Sequence, residues 1–253
     1  MTTPAPNPQV VLVTGALAGI GRATALAFAR AGAKVVISGR SEDKGRQLAE
    51  EIRALGAEAE FIAADVRRED DVRRLVDGAV QRFGRLDVAV NNAGTEGKPG
   101  PIIDQTPESY ASVFDTNVLG VLLSMKHELR VMLAQNSGSI INLSSTYGRI
   151  GGANASLYVA SKHAVEGLTK SAALEGAPHG VRVNIVAPGP IETEMLARFA
   201  GSDERKATFA AGVPLKRLGR PEEIADTIVF VASPQASFIS GESIAVNGGK
   251  SAL

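Results

Sequence analysis

The sequence predicts a single-domain, doubly wound α/β fold: a parallel sheet with helices on both faces. Three observations carry this. Short, nearly continuous apolar runs rich in Val and Ile alternate with amphipathic helical stretches, the pattern of strands buried on both sides. The first run leads at once into a glycine-rich turn, TGALAGIG over 14–21. Small or polar residues then follow each of the first six strands, where open α/β sheets bind ligands.

Residues 10–14 read as a buried strand and 19–31 as an Ala-rich helix. A second strand covers 34–38. The helix over 42–55 places Leu48, Ile52 and Leu55 along one face. After a third strand, 58–63, a helix over 69–83 gathers Val72, Leu75, Val76, Ala79 and Phe83 on one side. Residues 86–90 are the fourth strand. One long helix is expected over 107–135, where Thr106 followed by Pro107 fits an N-cap and Pro at N1. Then come a strand at 139–143, a helix at 156–176 and a strand at 181–186. A helix at 221–232 starts with Pro at N1, and a short strand at 243–246 precedes Gly248 and Gly249. Only 188–218 lacks clean periodicity, and it is expected to be an irregular, mobile lid over a pocket. The polar, Pro-rich residues 1–9 read as a disordered lead-in.

Composition narrows the function. Lys+Arg 27 balances Asp+Glu 27 in the 253 residues, so no net field favours nucleic acid or an anionic membrane. No apolar run approaches the ~20 residues that span a bilayer. The start shows no basic-then-apolar secretory pattern, and the expected location is cytoplasmic. Cysteine is absent, which excludes disulfides, thiolate zinc sites and a Cys nucleophile. His127, His163 and His179 lie far apart, and no metal site is expected.

The glycine turn is expected to hold a dinucleotide. Gly15, Leu17, Ala18, Gly19, Ile20 and Gly21 would bring backbone close to a pyrophosphate at the start of the next helix. The ribose is read about 20 residues further on. An acid there would hold the free 2′-hydroxyl of NAD, but this chain has Gly39 and then Arg40. Arg40 offers a charged fork to a 2′-phosphate, so NADP is favoured, with NAD left open. Asp65 is expected to accept from the adenine amino group, with Val66 beside the ring; the alternative is that Asp65 caps the helix near Glu69. Asn91, Ala93 and Gly94 follow the fourth strand, and Pro188 and Gly189 the sixth.

Chemistry is suggested by Tyr158 and Lys162, four residues apart, with Ser145 thirteen residues upstream. A free Tyr has a pKa of about 10, and bringing it near 7 needs roughly 4 kcal/mol. A unit charge about 4 Å away at an effective dielectric of 20 supplies that amount. Lys162, one helical turn from Tyr158, is the expected source. Tyr158 would then exchange a proton with a carbonyl oxygen that Ser145 holds.

These residues together resemble the short-chain dehydrogenase/reductase family. The match runs over 10–249 and rests on TGALAGIG at 14–21, DV at 65–66, NNAG at 91–94, Asn117 in TNVLG, Ser145 in INLSS, YVASK at 158–162 and PGPIET at 188–193. The resemblance implies a seven-stranded Rossmann sheet and a tetrad of Asn117, Ser145, Tyr158 and Lys162. It implies that Lys162 also binds the nicotinamide ribose and that Asn117 orders a water beside it. It implies that Pro188, Gly189, Ile191 and Thr193 line the nicotinamide end, and that the chain forms a homo-oligomer, often a tetramer. Three positions depart from the family pattern. Ala18 stands where many NADP users carry a base, Asn247 replaces an Asp, and Gly176 interrupts the helix after Tyr158.

The expected partner is a small carbonyl or alcohol substrate. Its pocket is expected from Glu96 and Lys98, from 147–154 and from 190–215. Glu96, Asn154 and Glu192 suggest a polar wall; Ile150, Met195, Leu196 and Phe199 suggest an apolar one, and Tyr147 is a further pocket candidate. Acyl-carrier-protein reductases of the family dock their partner on basic helix ends, and the matching places here are Asn136 and His179. A ketone, cyclic alcohol, steroid or sugar stays open. So do an NAD-preferring sugar or cyclic-alcohol dehydrogenase and, in another class, a non-catalytic dinucleotide sensor.

Overall fold

A computed structural model of the chain describes residues 8–252. The expected lead-in lies outside the described residues, apart from Pro8 and Gln9. The strands are β1 (Val10–Thr14), β2 (Lys34–Gly39), β3 (Ala59–Ala63), β4 (Val88–Asn91), β5 (Gly138–Leu143), β6 (Val181–Pro188) and β7 (Ser243–Val246). They form one seven-stranded sheet in the order β3-β2-β1-β4-β5-β6-β7, and every pairing is parallel. The helices are α1 (Gly19–Arg30), α2 (Glu42–Ala54), α3 (Glu69–Phe83), α4 (Pro107–Phe114), α5 (Gly120–Gln135), α6 (Ser156–Gly176), α7 (Glu194–Ala200), α8 (Asp203–Ala211) and α9 (Pro221–Ala232).

The pleat explains why both faces are covered. Successive strand residues point to opposite sides. Val11 and Val13 of β1 pack with Phe28, Leu48 and Ile228, under α1, α2 and α9. Leu12 between them packs with Leu75, Met125 and Val165, under α3, α5 and α6. Because β1 pairs with both β2 and β4, the winding reverses there, and a crevice opens at the carboxyl ends of those strands. Among the described residues no helix is long and apolar enough to cross a membrane.

Three expectations are corrected. The long helix over 107–135 starts as expected: Ser109 N donates to Thr106 Oγ1 at 3.2 Å and Thr106 N to Ser109 Oγ at 2.9 Å. It is then interrupted by a wide, π-type turn over Asp115–Leu119, whose Asn117 is fully buried. Residues 188–218 are not irregular throughout. They hold α7, where Leu196 N donates to Thr193 Oγ1 at 3.2 Å, and α8, where Arg205 N donates to Ser202 Oγ at 3.3 Å. Gly176 does not interrupt α6 but is its last residue.

The core also holds a polar chain. Asn91 Nδ2 donates to Glu128 Oε2 and to Asn142 Oδ1, both at 2.9 Å, and Asn142 Nδ2 donates to Thr169 Oγ1 at 2.9 Å. Burial pushes the Glu128 carboxyl up to about 7 from 4.5, against the Asn91 hydrogen bond. A raised carboxyl pKa means the folded state holds the proton longer than the unfolded one. The resulting stabilisation is full below pH 4.5 and lost as pH rises through about 7. Glu128→Gln should therefore flatten the stability profile over that window and raise stability above it by about 3 kcal/mol. Urea melts across the pH range check this.

Candidate active site

The glycine turn is shaped by close approach. A Cβ at Gly21 would lie 2.3 Å from Gly15 O and 2.4 Å from Asn92 Nδ2. Gly15 and Gly19 have φ of 62° and 52°, the left-handed region that favours glycine. Asn92 Nδ2 donates to Thr14 O at 3.1 Å and to Gly15 O at 2.9 Å, stapling the turn to the end of β4. Ala18, the N-cap of α1, offers no side-chain acceptor, and the first turn carries no acid. The amide groups there suit an anion.

Beside the turn is a cavity of about 420 Å³, lined by Leu17, Ala18, Arg40, Lys44, Val66 and Arg67 among others. Three cations thus meet in one wall. Gly39 has a steric reason as well as a chemical one, because a Cβ there would lie 2.6 Å from Leu17 Cδ1. Asp65 also lines this cavity. Its carboxylate accepts from Arg67 Nε at 2.9 and 3.0 Å, and Arg67 holds its pKa below the usual range. The helix-cap alternative does not hold, since the N-cap of α3 is Arg68. Asn91 is corrected too. Its side chain points into the core chain, not the crevice, and the neighbouring Asn92 faces the site instead.

Gly94 and Thr95 continue from this cavity into a second of about 180 Å³. Ser145, Tyr158 and Lys162 all line the second cavity, with Ile20, Pro188, Gly189, Ile191 and Thr193. Asn117 lies behind the wall. Its Oδ1 accepts from Thr95 N at 2.8 Å, and its Nδ2 donates to Thr95 O at 2.8 Å and Ser161 Oγ at 3.0 Å. The wide turn aims Asn117 inward, and Asn117 in turn fixes the strand-end backbone. Ala93 sits against the glycine turn, with its N–H donating to Thr14 Oγ1 at 3.3 Å.

The electrostatics differ from the sequence expectation. Lys162 Nζ donates to Leu143 O at 2.7 Å and sits 5.6 Å from the centroid of the Tyr158 ring. Burial pushes the Tyr158 phenol up to about 12, partly countered by the Ser145 hydroxyl and reinforced by Glu96 and Tyr147. Burial also brings the Lys162 ammonium down to about 8. Burial thus holds the phenol above its ordinary value, and the protein alone does not bring it near 7.

The substrate wall is mostly apolar. Tyr147 meets Tyr158 edge-on, with centroids 6.3 Å apart, and Met195, Leu196, Phe199 and Phe209 complete the wall. Glu96 lines it but is paired with Arg198 at 2.8 Å. Four expected residues fall outside, and of these Lys98 and Ile150 are exposed and do not line the cavity. Glu192 is exposed and pairs with Lys206 at 2.9 Å. Asn154 is exposed in a left-handed turn, φ 61°. Sequence reasoning missed Asn92, Lys44, Phe209 and Lys250. Of these, Lys44 carries a readable signal, four residues after Arg40.

A nicotinamide dinucleotide fits these residues: a glycine cradle that a Cβ would fill, uncapped helix amides, and cations where a phosphate would lie. Comparison with known proteins agrees. A family model described as enoyl-(acyl carrier protein) reductase matches residues 15–251. The A-factor type gamma-butyrolactone 1′-reductase (1S-forming) of Streptomyces virginiae is 42% identical over 243 residues, 95% of each chain. The cis-4-hydroxycyclohexanecarboxylate dehydrogenase of Sinomonas cyclohexanicum is 43% identical over 245 residues, 97% of each. Among solved structures, a single-residue variant of actinorhodin polyketide ketoreductase with NADPH superposes with a TM-score of 0.93 at 34% identity, covering 99% of this chain and 100% of that one. The glycine cradle, the converging Ser, Tyr and Lys, and these full-length matches lead to one conclusion: the chain belongs to the short-chain dehydrogenase/reductase family of oxidoreductases.

Proposed function

We propose that the protein interconverts a ketone and a secondary alcohol on a small, neutral, alicyclic substrate, using NADP in preference to NAD. The observation that carries this is the convergence of Ser145, Tyr158 and Lys162 on one apolar cavity that continues into the glycine-turn cavity. The bound dinucleotide supplies or accepts the hydride. Ser145 Oγ holds the substrate oxygen and Tyr158 Oη exchanges its proton. At neutral pH the phenol is protonated, ready to donate to a carbonyl. Lys162, anchored on Leu143 O beside the Tyr158 ring, is the group that would hold the ribose. Asn117 keeps Thr95 in place.

The ring preference is supported by the Tyr147, Met195, Leu196 and Phe199 wall and by the cyclohexane substrate that the Sinomonas relative's name prints. Glu96 on that wall disfavours anionic substrates, and its partner Arg198 is already engaged. An acyl-carrier protein is disfavoured because Asn136 caps α5 and its Oδ1 lies 3.4 Å from His179 Nδ1, which leaves no permanent cation there. A panel of cyclic ketones and alcohols, followed by nicotinamide absorbance in both directions, tests the reading. No turnover on any of them would overturn it.

The cofactor preference is supported by Arg40 and Lys44 together, so Arg40 does not act alone. Arg40→Asp should lower the NADP-to-NAD ratio of kcat/KM by about 10- to 100-fold, the worth of one charge-assisted hydrogen bond. Native protein that prefers NAD would refute the assignment. A homo-oligomer, a tetramer by family resemblance, is part of the same reading and is supported by the exposed Leu122, Leu174, Phe230 and Phe238. Light scattering measures it.

A further inference from the structure

Asn247 stands where the family pattern carries an Asp, and its amide is fully committed. Gly249 N donates to Asn247 Oδ1 at 3.2 Å, which fixes the orientation of the amide. Asn247 Nδ2 then donates to Ser251 Oγ at 2.8 Å and to Thr146 Oγ1 at 3.4 Å. Thr146 Oγ1 in turn donates to Pro188 O at 3.2 Å. Thr146 and Asn247 are both buried. The hydrogen-bond chain therefore runs from the segment after β7, through the residue next to Ser145, to the carbonyl at the end of β6.

Its place in the sheet explains why a side chain is needed. The register of β5 on β6 ends at Leu143 and Val186, and Ser144 N donates to Val186 O at 3.0 Å. The backbone then leaves the sheet at Ser145 and turns over Thr146–Gly148. Pro188 O, two residues past Val186, is met by the Thr146 hydroxyl where the next ladder bond would fall. Asn247 backs the same corner: a Cβ on Gly189 would lie 2.8 Å from its Cα. Ser145, Thr146, Pro188 and Gly189 all line the substrate cavity.

Counting hydrogens gives the chain its direction. A hydroxyl has one hydrogen. Pro188 O can only accept, so the Thr146 hydrogen is spent on it, and Thr146 offers Asn247 only a lone pair. An amide NH2 group is the matching donor. A carboxylate at 247 would still accept from Gly249 N, but it would meet Thr146 Oγ1 acceptor to acceptor. The hydroxyl would then turn to the charged oxygen, the stronger bond, and Pro188 O would lose its donor.

We propose that Asn247 is a positioning residue: its amide directs the Thr146 hydroxyl onto Pro188 O and so holds Ser145 in register with the nicotinamide edge at Pro188 and Gly189. The substrate oxygen and the dinucleotide are thereby kept in one frame by a side-chain bond that an Asp would redirect. This rests on Ser145 holding the substrate oxygen and on residues 188–189 lining the nicotinamide end.

Asn247→Asp, Thr146→Val, their double variant and Thr146→Ser test it in the full-length chain, with NADPH and a cyclic ketone that the native protein reduces. Asn247→Asp puts back the family residue and Thr146→Val keeps the side-chain shape, so both should fold, which thermal melts check. Each should lower kcat by about 10-fold, the worth of one hydrogen bond, with a smaller change in KM. The double variant should be no slower than Thr146→Val, because both substitutions break the same bond; independent effects would multiply to about 100-fold. Thr146→Ser keeps the hydroxyl and should recover most of the rate lost in Thr146→Val. As a readout without turnover, amide hydrogen exchange within 142–150 and 186–192 should speed up in Asn247→Asp and Thr146→Val but not in Thr146→Ser. Native rates and exchange in Asn247→Asp, losses that multiply in the double variant, or a Thr146→Ser as slow as Thr146→Val would each overturn the assignment. If instead the native protein reduces no cyclic ketone, or Tyr158→Phe keeps the native rate, the functional reading falls, and hydrogen exchange still decides whether Asn247 directs the chain.

Discussion

Tyr158→Phe is expected to reduce turnover by about 10²- to 10⁴-fold, the usual worth of a positioned acid–base group. Dinucleotide affinity should stay at the native value. The substitution removes one oxygen and leaves the ring, so the edge contact with Tyr147 and the position over Lys162 remain. The glycine turn, Arg40 and Val66 line the other cavity and are untouched. Steady-state kcat at saturating substrate, with dinucleotide titration by fluorescence, separates the two effects. Turnover near the native rate would remove Tyr158 from the proton route and leave Ser145 with no partner in the mechanism.

Gly21→Ala should cost both stability and nucleotide binding. Its Cβ would stand 2.3 Å from Gly15 O, a backbone atom held in place by Asn92. A clash with fixed backbone cannot be relieved by a rotamer change. Overpacking of this kind typically costs about 1–3 kcal/mol, so a melting temperature lower by about 2–10 °C is expected. Any relaxation has to push Gly15 or Asn92 away from the pyrophosphate seat. Thermal melts with and without dinucleotide check this: the native protein should gain stability from the ligand, and the variant should gain little. A variant that melts and binds like the native protein would show that the turn yields freely.

Residues whose role follows from local spacing are readable in the sequence alone. Val11, Leu12 and Val13 announce a strand covered on both faces, and Tyr158 and Lys162 share a helix face one turn apart. What stays hidden depends on register or on distance. Asn91 and Asn92 are adjacent and chemically alike, but the pleat sends one into the core beside Glu128 and the other to the glycine turn. Nothing local says which. The wide turn at Asn117 looks like plain helix, because the backbone that its buried side chain meets lies 22 residues away. The helices α7 and α8 are about two turns long, too short for periodicity to declare itself. The Tyr158 pKa departs from expectation for a related reason. The sequence shows the helpful charge of Lys162, whereas the opposing desolvation exists only once the pocket is closed around both.

The Asn92 staple has a consequence for modularity. The nucleotide turn lies within the first strand–helix–strand unit, which suggests a part that could be moved into another protein. Yet Thr14 O and Gly15 O are held by a side chain 78 and 77 residues further along the chain. A fragment ending before β4 would keep the glycines and lose what shapes them. In this protein the ability to bind a dinucleotide belongs to the assembled sheet, and a transplanted first unit would carry the motif without the function.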